Sequence, residues 1–173
     1  MLFKKFGEFD SVEELNRVAA AQLAEGDEEA ILALAQENGI EKEDVEDYID
    51  GVVPELATPL IAALGKLDVE KKDLGIDGVL DDWTTCIVEL CCSDERMTRA
   101  VRKKGKSLCG CMSLLLRFAF ENKRQVSPKI INATKVTQNG KEVPMQGPVY
   151  LGVPSQVEAK RIVREYYLGG DAK

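Results

Sequence analysis

Helix-start residues and stop glycines divide most of this sequence into short segments, and within each segment apolar residues recur three or four positions apart. Ser11-Val-Glu-Glu14 is a capping box, behind which Val12, Leu15, Val18 and Leu23 keep helical spacing until Gly26. Asp27, Glu28 and Glu29 put negative charge on the start of a second helix, with Ile31, Leu34 and Ala35 as its apolar face before Gly39. A third short helix is expected over about 41–50, with Val45, Tyr48 and Ile49 inward. Thr58-Pro59 supplies the cap and first-turn proline of a fourth helix, whose buried face would be Leu60, Ile61, Leu64 and Leu67. Beyond Gly75 and Gly78, a helix over about 79–92 carries Trp83 on its apolar stripe, and Ser93 can cap a basic helix reaching about Lys104. Ser107 then caps a helix with little polar face, expected to be the central and most buried one.

The pattern changes after Lys123. Ser127-Pro128 can open a turn or two of helix, and Asn139-Gly140 is the two-residue turn signature of a β-hairpin over 136–143. Prolines and glycines keep 144–154 in loop, and Ser155 caps a last amphipathic helix over 155–168, with Ala159, Ile162, Val163, Tyr166 and Tyr167 inward. The expected fold is mainly α, α+β only through one small hairpin. It would be a multi-helix bundle with an acidic three-helix N-terminal module at 1–52 and a helical core domain at 53–173.

Charge is distributed unevenly along this helical frame. The net −7 of the 173 residues resolves into 7 Lys+Arg against 23 Asp+Glu over 1–92, and 16 against 7 over 93–173. The sequence contains no histidine, which removes Ser-His-Asp and Cys-His dyads, His-ligated zinc and histidine general bases. Five cysteines, an odd count within helical segments, are expected to be reduced and buried. No apolar run of signal-peptide length follows Lys4 and Lys5, and no stretch approaches about 20 apolar residues, so the expectation is a cytoplasmic protein without a membrane partner.

Two patterns suggest chemistry and lack its context. Ala100 to Ser107 fits a relaxed phosphate-binding loop, yet no hydrophobic strand precedes it and its loop residues are Val-Arg-Lys-Lys; a helix stop at Gly105 and restart at Ser107 explains it better. Cys91-Cys92 and Cys109-Gly-Cys111 cannot each turn two sulfurs toward one tetrahedral ion while they stay helical, because neighbouring helical residues diverge by about 100°. No cofactor, no metal and no enzymatic activity are expected.

The charged clusters are the candidates for binding. Arg96, Arg99, Arg102 with Lys103, and Lys106 recur at three- and four-residue steps, which would place them on one exposed stripe opposite Met97, Ala100 and Val101. Such a stripe can take nucleic-acid phosphates or an acidic protein surface, or pair inside the fold with the acidic N-terminal helices. Glu28, Glu29, Glu43, Asp44 and Asp47 form the mirror case. They are either a solubilising surface or, fixed on rigid helices, an imitation of DNA phosphates that can occupy a nuclease's cationic channel.

The run from Asp94 to Met112, with Gly105-Lys106-Ser107-Leu108 between two helices, and the later segment from Ala159 to Gly169 resemble the PcfK-like family. Its members occur on mobile elements of gut bacteria and include inhibitors of the type II CRISPR effector nuclease. The resemblance covers about half of the chain, mostly 79–122 and 155–169. It implies a non-enzymatic inhibitor that binds the effector or its guide-RNA complex and blocks DNA engagement or the step before cleavage. The other reading is a small DNA-binding accessory protein of conjugation or plasmid maintenance that uses the basic half. The oligomeric state is open at this point.

Overall fold

The computed structural model describes residues 2–169. Three short helices open it: α1 (Val12–Glu25), α2 (Glu28–Glu37) and α3 (Lys42–Ile49). Ser11 Oγ accepts from the Glu14 N–H and Asp27 Oδ1 from the Ala30 N–H, so α1 and α2 start where their side-chain caps place them. The reciprocal half of the box at Ser11 is displaced by one residue, because the Glu14 carboxylate accepts from the Asp10 N–H. Gly26 ends α1 in the left-handed region at φ 73°.

Helix α4 (Pro59–Leu74) begins at Thr58, whose Oγ1 accepts from the Ile61 N–H. Its expected buried face is turned. Leu60 is exposed, whereas Ala62, Ala63, Gly65, Lys66, Leu67 and Glu70 are buried. The reason is that α4 is covered from two sides. Ala62 joins a cluster with Phe9, Leu15, Ile31, Leu34, Val45 and Leu56, while Ala63 and Leu67 join a second one built on the later helices. The apolar cluster of the N-terminal module therefore runs past the expected boundary at 52, taking in Leu56, Ala57 and Ala62.

The second cluster unites α5 (Gly78–Ser93), α6 (Glu95–Arg102), α7 (Leu108–Glu121) and α9 (Gln156–Leu168) around Trp83, Ile87, Met97, Leu115 and Val163. Asp94, not Ser93, caps α6, and the helix ends at Arg102 rather than Lys104. The Ser93 hydroxyl instead donates back to the Glu89 and Leu90 carbonyls of its own helix. Helix α7 is not buried all round: Leu108, Cys111, Met112 and Leu115 face the core, but Leu116 and Phe120 face solvent. Ser155 and Glu158 complete a reciprocal capping box on α9.

Between α7 and α9 the chain makes β1 (Arg124–Gln125), α8 (Pro128–Ala133), β2 (Lys135–Gln138), β3 (Lys141–Pro144) and β4 (Tyr150–Leu151). β2 and β3 are the expected hairpin, with Val136 opposite Val143 and Asn139 and Gly140 at φ 52° and 76°. β4 pairs antiparallel with β1, so 144–154 is not loop throughout. Cys86, Cys91 and Cys111 are buried, and burial pushes the Cys91 and Cys111 thiols up to about 12. Cys92 and Cys109 are exposed, against the expectation of five buried thiols. No helix among the described residues is long and apolar enough to cross a membrane.

Candidate functional site

Helix α6 carries the basic residues singled out in the sequence, and the structure does not keep them on one exposed stripe. Arg96, Arg99 and Lys103 are exposed, Lys106 is half-buried, and Arg102 retains only 1% of its surface. Helical geometry explains the difference. At about 100° per residue, a step of three falls about 60° short of a full turn, so Arg96 to Arg99 to Arg102 drifts around the helix while Arg96 to Arg99 to Lys103 returns. Arg102 thus ends beside buried Thr98, facing the N-terminal module.

The exposed cations of α6 are largely engaged within the protein. Arg99 Nη1 donates to Glu13 Oε1 at 2.6 Å, and its Nε donates to Glu95 at 3.1 Å. Arg96 lies along the Asp94 carboxylate, which Arg164 also reaches at 3.1 Å. Lys106 Nζ donates to the Tyr166 carbonyl at 2.7 Å, neutralising part of the negative C-terminal end of α9. Lys103 makes no salt bridge among the described residues; Arg96, Arg99, Lys103 and Lys106 line a groove of about 380 Å3 closed by Tyr167 and Leu168.

Beneath this surface lies a buried polar node that sequence reading missed. Lys66 Nζ spends its three donors on Glu8 Oε1 at 2.6 Å and on the Lys103 and Lys106 carbonyls at 2.9 and 2.6 Å. Glu8 Oε2 also accepts from the Gly105 N–H, and Glu70 Oε2 accepts from the Leu108 N–H at the start of α7. Arg102 Nη2 donates to Asn38 Oδ1 at 2.8 Å, and its guanidinium lies 5.7 Å from the Phe9 ring centroid. Burial depresses the Lys66 and Arg102 pKa values and raises that of Glu70, since each charged form has lost water. A signal for two of these residues was present: Lys66 and Glu70, four apart, fall on the helical face of Ala62 and Ala63. Nothing periodic marks Glu8.

The node also accounts for the phosphate-loop pattern. The Gly105 N–H is held by Glu8 and the Ser107 N–H by the Tyr166 hydroxyl at 3.0 Å, while Ser107 Oγ caps α7 by accepting from Gly110. Gly105 sits at φ 79°, so the step is a helix stop and restart. Compared with protein-family models, with curated proteins and with solved structures, the chain finds no match.

The acidic candidates stand differently. Glu28, Glu29, Glu43 and Asp47 are exposed and Asp44 is half-buried, all on α2 and α3. Among the described residues, the ion pairs of the N-terminal module join Glu8 to Lys66, Glu13 to Arg99 and Lys42 to Glu46, and none includes those five carboxylates. Arg99–Glu13 and the Lys66 node tie the basic region to the acidic one; α2 and α3 keep their charge on the outside.

Proposed function

We propose that this protein is a non-enzymatic inhibitor of a type II CRISPR effector nuclease, and that it presents the acidic face of α2 and α3 to the effector's cationic nucleic-acid channel. One observation carries the choice of surface. The stripe of α6 is drawn into contacts with Glu13, Asp94, Glu95, Asn38 and the end of α9, whereas Glu28, Glu29, Glu43 and Asp47 are exposed without an ion pair among the described residues. Carboxylates fixed on packed helices lose little freedom on meeting a row of lysines and arginines that otherwise hold a heteroduplex, and long-range attraction speeds the encounter. The resemblance to the PcfK-like family supplies the class of target.

The test is target cleavage by an assembled effector, with and without guide RNA, in the presence of excess protein. The wild type is expected to inhibit. A variant with Glu28→Lys, Glu29→Lys, Glu43→Lys and Asp47→Lys is expected to lose inhibition while keeping its helical circular dichroism. Unchanged cleavage and target binding with the wild type would overturn the proposal. The groove of Arg96, Arg99, Lys103 and Lys106 favours the second reading, a DNA-binding accessory protein. On that reading duplex DNA binds with a log-log salt slope near −4 for about four phosphate contacts, and Lys103→Glu weakens it.

A further inference from the structure

Helix α7 is apolar on two faces, and the fold covers one of them. Leu108, Cys111, Met112 and Leu115 are packed into the core. About a third of a turn round the helix, Cys109, Ser113, Leu116 and Phe120 are all exposed, with Leu116 keeping 56% and Phe120 70% of its surface. These four residues follow one another at steps of four, three and four, the spacing that keeps side chains on a helix–helix seam.

From this geometry we infer that the outer face of α7 is a self-association surface, which pairs with α7 of a second copy in antiparallel orientation about a two-fold axis. The order of sizes along the seam selects both the occupant and the direction. The small residues, Cys109 and Ser113, come first and the large ones, Leu116 and Phe120, come second. Antiparallel pairing sets Leu116 against Ser113 of the second copy and Phe120 against Cys109 of the second copy, four times large against small. Parallel pairing would oppose Phe120 to Phe120 and leave a void between the small residues. A two-fold interface must be complementary to itself, and this seam is. Its charge permits the approach, since none of the four seam residues is ionisable to a carboxylate or carries a positive charge. Lys123, whose Nζ lies 3.5 Å from the Phe120 ring centroid, covers one face of the ring and is long enough to swing aside. One face of a four-turn helix buries less than the about 800 Å2 per partner of a standard interface, so the dimer is a weak one.

The test is sedimentation equilibrium of the full chain from low micromolar to near-millimolar concentration, in a Cys92→Ser background that removes the other exposed thiol. A monomer–dimer equilibrium is expected, and Leu116→Glu, at a solvent-facing position, is expected to weaken it about thirty-fold or more with an unchanged thermal midpoint. Direction is read by mild copper-phenanthroline oxidation. In the antiparallel pair the two Cys109 residues are about 16 Å apart along the axis and do not cross-link, whereas Phe120→Cys brings a thiol against Cys109 of the other copy and gives a disulfide-linked dimer. A monomer at every concentration, an undiminished dimer in Leu116→Glu, or cross-linking through Cys109 without the Phe120→Cys substitution would each overturn the inference.

Discussion

At the scale of residues, the most consequential placement is that of titratable groups inside the fold. Lys66, Glu70 and Arg102 are each buried where the two apolar clusters meet. They tie together segments far apart in sequence: the N-terminal segment through Glu8, the α6–α7 turn through its carbonyls, and the α2–α3 turn through Asn38. Their protonation follows from burial. Because the native Glu70 carboxyl is held above the ordinary 4.5, the native state keeps a proton that the unfolded chain has already released. Over that interval stability falls as pH rises. Glu70→Gln leaves an oxygen for the Leu108 N–H and removes the titration. The stability of Glu70→Gln relative to wild type is therefore expected to climb as pH rises above about 4.5, and to be level below it. Urea unfolding of both proteins across that range checks this, and a difference independent of pH would refute it.

At the scale of elements, packing overrules propensity at several points. Gly65 lies inside α4, where alanine is ordinarily preferred by about 1 kcal/mol. Here a Cβ on Gly65 would run into the Asn38 and Gly39 backbone, because α4 and the α2–α3 turn pass each other main chain to main chain. Gly65→Ala is consequently expected to destabilise by about 1–3 kcal/mol, the opposite sign to its helix propensity, in the midpoint of urea unfolding. The same crowding explains why α4 buries Lys66 and Glu70 and exposes Leu60: it is wedged between two clusters rather than laid on one. Helix α7 is the reverse case, an element with more apolar surface than this fold covers.

At the scale of the whole molecule, the opposing charges of the two halves are partly joined and partly kept apart. Arg99 reaches Glu13 across 86 positions of sequence, which holds the Glu13 carboxyl below and the Arg99 guanidinium above their ordinary values. A carboxylate with a depressed native pKa contributes stability above its unfolded pKa and loses it as pH falls through the native value. A double-mutant cycle of Glu13→Gln and Arg99→Gln should thus show a small favourable coupling at neutral pH and low salt that vanishes in acid and at high salt. No coupling under any condition would mean that this contact does not join the halves. The carboxylates of α2 and α3 remain outside that pairing, and a partner of positive sign would meet them first.

The sequence by itself determined the helices, the hairpin and the charge asymmetry, because each depends on signals within a turn or two. Ser11, Asp27, Thr58, Ser107 and Ser155 cap the helices they open, and Asn139-Gly140 supplies the positive φ angles of the hairpin turn. The candidate surfaces were only half legible. Glu28, Glu29, Glu43 and Asp47 are exposed, whereas the basic stripe counted Arg102 as an outward cation, since spacing alone does not say which side of a helix a neighbour will cover. Tertiary structure alone decided that Arg102 is buried, that Arg99 is taken by Glu13, and that one apolar face of α7 stays open. A periodic pattern fixes how residues are arranged around a helix axis. Which of those directions meets protein and which meets water depends on segments tens of residues away, and packing against them is what settles it.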